Sequence, residues 1–230
     1  MAHINRLRLV DDVRRNLEEA ILCGEMRPGD RLPVAQVAEE FSVSLTTVRE
    51  ALLMLENQGL VVNKPRHGAF VTRLSEEEAQ ELCEARALLE SFAVTVGFER
   101  IDAQFQERFM GLVGEMAECE LPQDLPKLIR TDLKIHHEVI SLADSARITE
   151  LWTGLNGQIG ALIMRGVEQQ GSKIRDIVEF HRTLGEALFS EDINLARQEV
   201  VSHYLFSWSE YRYFATAVIQ VADANVDFVS

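Results

Sequence analysis

From Ser75 to the end of the chain, every long stretch repeats its apolar residues at the 3.6-residue period of an α-helix, and none reads as a strand. That pattern rules out sheet-based architectures for most of the molecule. It predicts helices at about 75–99, 102–119, 123–142, 146–167, 172–189 and 192–219. Pro122, Asp144-Ser145, Gly171 and Ser190-Glu191-Asp192 punctuate them. Ser75 is a good N-cap, and Glu78 occupies the matching capping-box position. Short connections between so many helices predict an antiparallel all-α bundle of six to seven helices over residues 74–230.

The first 73 residues have a different rhythm. Leu9 to Cys23 is amphipathic, with Val13, Leu17, Ala20 and Ile21 on one face. Gly24 ends it, and Pro28-Gly29-Asp30 supplies a turn. Pro33 to Phe41 reads as a short helix, broken by Ser42-Val43-Ser44. Leu45 to Gln58 reads as a third helix, carrying Val48, Leu52 and Leu55 inward and capped by Gly59. Leu60–Val62 and Ala69–Thr72 are short β-rich runs around a basic turn, Asn63-Lys64-Pro65-Arg66-His67-Gly68. The expected fold is therefore mainly α: a winged helix-turn-helix over 1–73, then the helical bundle.

Composition fits this division. The chain is 47% apolar and 26% charged, as globular proteins are, and no apolar run is long enough to span a membrane. Met1 to Leu9 lacks the apolar core and cleavage site of a signal peptide. Cys23, Cys83 and Cys119 are widely spaced and form no CxxC pair, which suits reduced thiols in the cytoplasm. The net charge of −14 lies entirely after residue 73, because residues 1–73 hold ten basic and ten acidic side chains. An acidic second half and a neutral first half are expected if only the first must approach phosphates.

A helix, a short turn and a second helix form the geometry that lays the second helix in the DNA major groove. Here that helix starts at Leu45 and presents Ser44, Thr46, Thr47 and Arg49. Hydroxyls and early amides suit phosphate oxygens, and Arg49 suits a base edge or a phosphate. The hairpin tip adds Lys64, Arg66 and His67 around Gly68, where the missing Cβ permits close approach of the backbone. The same elements also suit a small helical domain with a surface hairpin and no nucleic-acid role.

A separate pattern lies in the second half. Asp132 and His136 are four residues apart and share a helix face. His181 and His203 are equidistant from the turn at Asp192. In an antiparallel pair both would lie roughly 16 Å from the bend, at one height. One carboxylate and three imidazoles suit a borderline divalent ion such as Zn, Ni or Mn. A histidine in a helix is also commonly a surface or satisfied core residue. His137 points about 100° away from His136 and is not part of the pattern.

Two resemblances extend this reading. The run Ser44-Leu45-Thr46-Thr47-Val48-Arg49-Glu50-Ala51-Leu52, then Leu55-Glu56-Asn57-Gln58-Gly59-Leu60-Val61 and Arg66-His67-Gly68-Ala69-Phe70-Val71, resembles the GntR family of bacterial regulators. Gly24-Glu25-Met26-Arg27-Pro28-Gly29-Asp30-Arg31-Leu32 fits its first-helix exit, which adds Arg31 to the expected DNA-binding residues. Family members usually carry Arg where this chain has Leu45 and often Glu where it has Val34. Losing that Arg removes a contact worth about 1–3 kcal/mol of base discrimination.

The second half resembles the FCD effector domain of the FadR-type GntR subfamily. Its Asp-x-x-Phe-His motif and two later histidines correspond to Asp132-Leu133-Lys134-Ile135-His136, His181 in Phe180-His181-Arg182, and His203. Ile135 replaces the usual Phe, which changes packing and not ligation. The resemblance implies a metal at Asp132, His136, His181 and His203, a small organic-acid effector beside it, a homodimer and a palindromic operator. Arg86 matches an Arg expected to grip the effector carboxylate; an intrahelical or buried ion pair with Glu90 is the other reading. Asn156 is a second candidate lining residue.

A regulator whose metal is purely structural and which senses another ligand, such as an acyl thioester, stays open as an alternative. A bundle metalloenzyme is disfavoured, because no HExxH, Glu-x-x-His pair, phosphate loop or GxSxG is present. The chain is thus expected to be a cytoplasmic transcription factor, not an enzyme, acting on operator DNA as a repressor or an activator and not on membranes.

Overall fold

The computed structural model describes residues 2–22, 24–170 and 173–205. Cys23, Gly171 and the stretch of the last expected helix from 206 to 219 lie outside the described residues. The chain divides into two compact units. One comprises residues 1–74 with 153–166, and the other 75–152 with 167–230.

In the first unit, α1 (Ala2–Leu22) buries Val10, Val13, Leu17 and Ile21 and packs against the helix Leu45–Asn57. The helix starts earlier than the sequence pattern suggested. α2 (Val34–Glu40) and α3 (Leu45–Asn57) are joined by a tight turn with Ser42 at φ 52°, and α3 seats Val48, Ala51, Leu52 and Leu55 in the core. Ser44 caps α3, its hydroxyl accepting from the Thr47 amide at 3.1 Å. At the other end Gly59, at φ 74°, donates to the Glu56 carbonyl and Leu60 donates to that of Leu55. These two bonds satisfy helix carbonyls in a Schellman arrangement.

The sheet has three strands, not two. β1 (Arg31–Leu32) and β2 (Val61–Lys64) flank β3 (Gly68–Val71), all antiparallel, with Arg31 opposite Phe70 and Lys64 opposite Gly68. β1 is two residues long and too short to show an alternating pattern. The hairpin tip is correspondingly tighter than expected, since Asn63, Lys64 and Gly68 join the ladder. Arg66 at φ 65° and Gly68 at φ 97° close the turn. Asn63 donates to both carboxylate oxygens of Glu56, which ties the hairpin to the end of α3.

In the second unit, α4 (Glu76–Gly97) opens with the expected capping box between Ser75 and Glu78. α5 (Ala103–Ala117) and α6 (Leu125–Ser141) follow, then α7 (Ala146–Thr153), α9 (Ile174–Leu188) and α10 (Ile193–Leu205). α4 packs on α6 and α10, and α5 on α6 and α9. α9 and α10 touch across a short turn, as antiparallel neighbours do. Leu128, Ile135, Val139, Leu184, Val200 and Val201 fill the core, with Phe105, Phe109 and Phe189 clustered at one side.

One expected helix is two. The stretch 146–167 breaks at Gly154-Leu155 into α7 and α8 (Asn156–Gln170), and residues 153–166 group with the first unit. There Gly157 lies so close to the carbonyl of Gln58, at the C-cap of α3, that a Cβ would collide with it. Close backbone approach is what a glycine permits at that position.

Candidate functional site

On the first unit, the start of α3 presents a mixed surface. Ser44, Thr46 and Arg49 are exposed, and Leu45 is 47% exposed. Thr47 departs from expectation. It is 4% exposed, and its hydroxyl lies 2.8 Å from that of Ser44, so its side chain serves the cap instead of facing outward. Across the sheet, basic side chains gather on β3 from both sides. A Cβ on Gly68 would lie 3.6 Å from the Arg31 Nε, so that guanidinium runs alongside the wing glycine. Lys64 Nζ sits 5.0 Å from the centroid of the Phe70 ring. Arg66 and His67 are exposed at the turn. Each cation therefore has a rigid strand or turn beneath it, as phosphate contacts that fix register require.

In the second unit the three expected histidines converge, and Asp132 reaches the group at His181. Asp132 and His136 come from α6, His181 from α9 and His203 from α10. Asp132 Oδ1 is 3.1 Å from His181 Nε2, and His136 Nε2 is 3.2 Å from His203 Nε2. The donor nitrogens of the three histidines all lie within 4.8 Å of one another.

The outer nitrogens decide what the inner ones can do. His136 Nδ1 is 2.8 Å from Glu90 Oε2, and His181 Nδ1 is 2.8 Å from the Ile177 carbonyl. A neutral imidazole with its proton on Nδ1 has a bare lone pair on Nε2. In that tautomer the inner nitrogens of the three histidines would offer lone pairs to one point, with the Asp132 carboxylate beside His181. Such a donor set suits a divalent cation, so the residues fit a metal.

Burial and charge act unequally on the cluster: they favour a neutral His203 but a protonated His136, whose inner proton a metal would have to displace. Burial pushes the His203 imidazole well below its usual range, and His181 and His136 push it the same way, so it stays neutral and able to ligate. Burial opposes ionisation of Asp132, but the His181 hydrogen bond and the fields of His136, His181 and Arg86 overcome it and hold the carboxyl low. Burial likewise disfavours charge on His136, and the Glu90 carboxylate outweighs it and raises the imidazole.

Glu90 is the residue the sequence reading missed. It is fully buried on α4, and besides His136 it accepts from Trp152 Nε1 at 2.7 Å and from the Tyr204 hydroxyl at 2.6 Å. Burial of the Tyr204 phenol and then the Glu90 carboxylate push that phenol well above its usual range. The signal was present: Cys83, Ala87, Glu90, Val94 and Gly97 recur at core spacing and are all buried, so the carboxylate sits in an apolar stripe. Arg86, also fully buried, places NH1 3.9 Å from Glu90 Oε1 and lies 4.0 Å over the Trp152 ring. Its geometry is that of the buried ion pair. Asn156 starts α8, within residues 153–166 of the first unit, and is not part of the histidine cluster's own unit.

Comparison with known proteins agrees with both units. Residues 9–71 match the profile of the gntR family of bacterial regulatory proteins, and residues 81–206 match the FCD domain. The HTH-type transcriptional regulator YdhC of Bacillus subtilis (strain 168) is 26% identical over 193 residues, covering 82% of this chain and 84% of its own. The gluconate operon transcriptional repressor of the same organism is 26% identical over 200 residues, covering 84% and 80%. The solved structure of E. coli McbR/YncC superposes with a TM-score of 0.70 at 21% identity, over 89% of this chain and 97% of that one. These relatives are transcriptional regulators and not enzymes. Helix-turn-helix head and FCD domain together make this chain a member of the gntR family of bacterial transcriptional regulators.

Proposed function

We propose that the protein is a cytoplasmic homodimeric repressor whose hold on a palindromic operator is set by a small organic acid bound beside a divalent metal. In this reading residues 1–73 form the DNA-binding domain and residues 74–230 the effector domain. Asp132, His136, His181 and His203 hold the metal. The carrying observation is that the outer nitrogens of His136 and His181 are engaged, while their inner ones face His203 and Asp132. Thr46, Arg49, Arg31, Lys64, Arg66 and His67 meet the duplex, with Ser44 and Gly68 supplying backbone approach. A relative named for a gluconate operon supports sugar acids as the first ligands to test. For the homodimer, support comes from the outer face of α4, where Leu88 and Val96 are exposed.

The route from site to DNA is short in sequence. Trp152, whose indole donates to Glu90, is the last residue of its unit before residues 153–166. Gly157, in that following segment, touches the C-cap of α3. A ligand that moves Glu90 or Trp152 would strain this short connection, and its differential affinity for the two arrangements would set the response.

A purely structural metal is the second reading, and ligand count favours it in one case. Three nitrogens and one carboxylate oxygen complete a tetrahedral shell for Zn, leaving no position for an acid. Octahedral Ni or Mn would leave two open. Metal analysis of the purified protein, with a sugar-acid and organic-acid panel in a thermal-shift assay, tests both. About one metal per chain and an acid shift that needs the metal are expected. Metal without any metal-dependent acid shift would favour the structural role. Absence of metal would overturn the site.

A further inference from the structure

Leu45 is the side chain at which core spacing and burial part company. Leu45, Val48, Leu52 and Leu55 recur at the spacing of a buried stripe. The last three are buried, whereas Leu45 is 47% exposed. Its position explains this. It is the first residue of α3, directly after the capping Ser44. Helical side chains lean toward the N-terminus, so Leu45 projects past the end of the core. Its exposed neighbours are Ser44, Thr46 and, one turn on, Arg49.

This is the part of a helix-turn-helix that reaches base edges. Leu53 and Met54 are also exposed on α3, but they lie toward its C-terminal end, away from that turn. The major-groove edge of DNA carries one apolar group, the C5-methyl of thymine. We infer that Leu45 is a specificity determinant, packing on a thymine methyl in each operator half-site. The inference rests on the reading of the first unit as the operator-binding head. Because Leu45 is uncharged, its contact adds selectivity without adding to the counterion-release term that phosphate contacts carry.

The test uses the full chain. An operator is first selected from a random duplex library. Each thymine is then replaced singly by deoxyuridine, which removes the methyl and leaves the base-pairing edge intact. Wild type should lose about fourfold in affinity at one thymine per half-site, the worth of one methyl taken out of water. Leu45→Ala should bind the parent operator more weakly, be indifferent to that methyl, and keep the wild-type salt slope. Leu45→Met, which keeps an apolar reach, should retain the methyl effect. Circular dichroism of both variants checks that the exposed substitution leaves the fold intact. If the selected operator shows no methyl effect, or if Leu45→Ala keeps it, the inference is overturned while operator binding stands. If no duplex is enriched at all, the operator-binding reading fails and the inference with it.

Discussion

Glu90 joins three other elements of the second unit through one buried side chain. Its two oxygens serve His136, Trp152 and Tyr204, the first two in fully buried contacts. A carboxylate that accepts from the outer nitrogen of a metal-binding histidine fixes the tautomer and the ring plane. Glu90→Gln keeps the volume but weakens that hold, and metal affinity should fall about 10- to 100-fold. Competition with a chromophoric chelator measures it; unchanged affinity would mean that Glu90 does not orient His136. His181→Ala removes a ligand outright and should lower metal content, while full stoichiometric metal in that variant would exclude His181 from the shell.

At the scale of elements, the two ends of α3 make separate predictions. Ser44→Ala removes the cap on the Thr47 amide and should cost about 1 kcal/mol, read from urea unfolding. Gly157→Ala places a methyl against the Gln58 carbonyl, and because that neighbour is backbone it cannot swing away. A loss of about 1–3 kcal/mol is expected by the same measurement. A neutral result would mean that α8 and the C-cap turn separate freely. On the wing, Lys64→Ala should reduce the slope of log affinity against log salt by about 0.9 if Lys64 neutralises one phosphate.

These elements also show what a sequence makes legible. The Ser75 cap, α3 and the turn that lets His181 face His203 follow from local rules, so spacing alone located them. β1 did not, because two residues have no period and the strand exists only through its pairing with Phe70 and Ala69. The α7–α8 break was hidden because a single glycine within a helical pattern is tolerated, and Gly154 was read through. Glu90 was read only as an ion-pair partner of Arg86 at i+4, and packing alone shows that it also serves His136, Trp152 and Tyr204. Thr47 fitted an exposed hydroxyl by spacing, whereas the cap turns it inward.

For the whole molecule, the division of charge fits the division of labour. The acidic excess lies after residue 73, where no phosphate need be approached, and the basic side chains of the wing stand on a neutral head. Because each unit has its own core, Asp132→Ala should leave operator binding without effector intact and abolish the response to effector. A variant that lost both together would contradict separate cores. The most direct test of the account titrates an organic acid against one selected operator duplex at fixed salt, using metal-loaded and metal-stripped full-length protein. The account predicts a change in operator affinity of about 5- to 150-fold in the loaded protein and none in the stripped one. The same acid response with and without metal would contradict it.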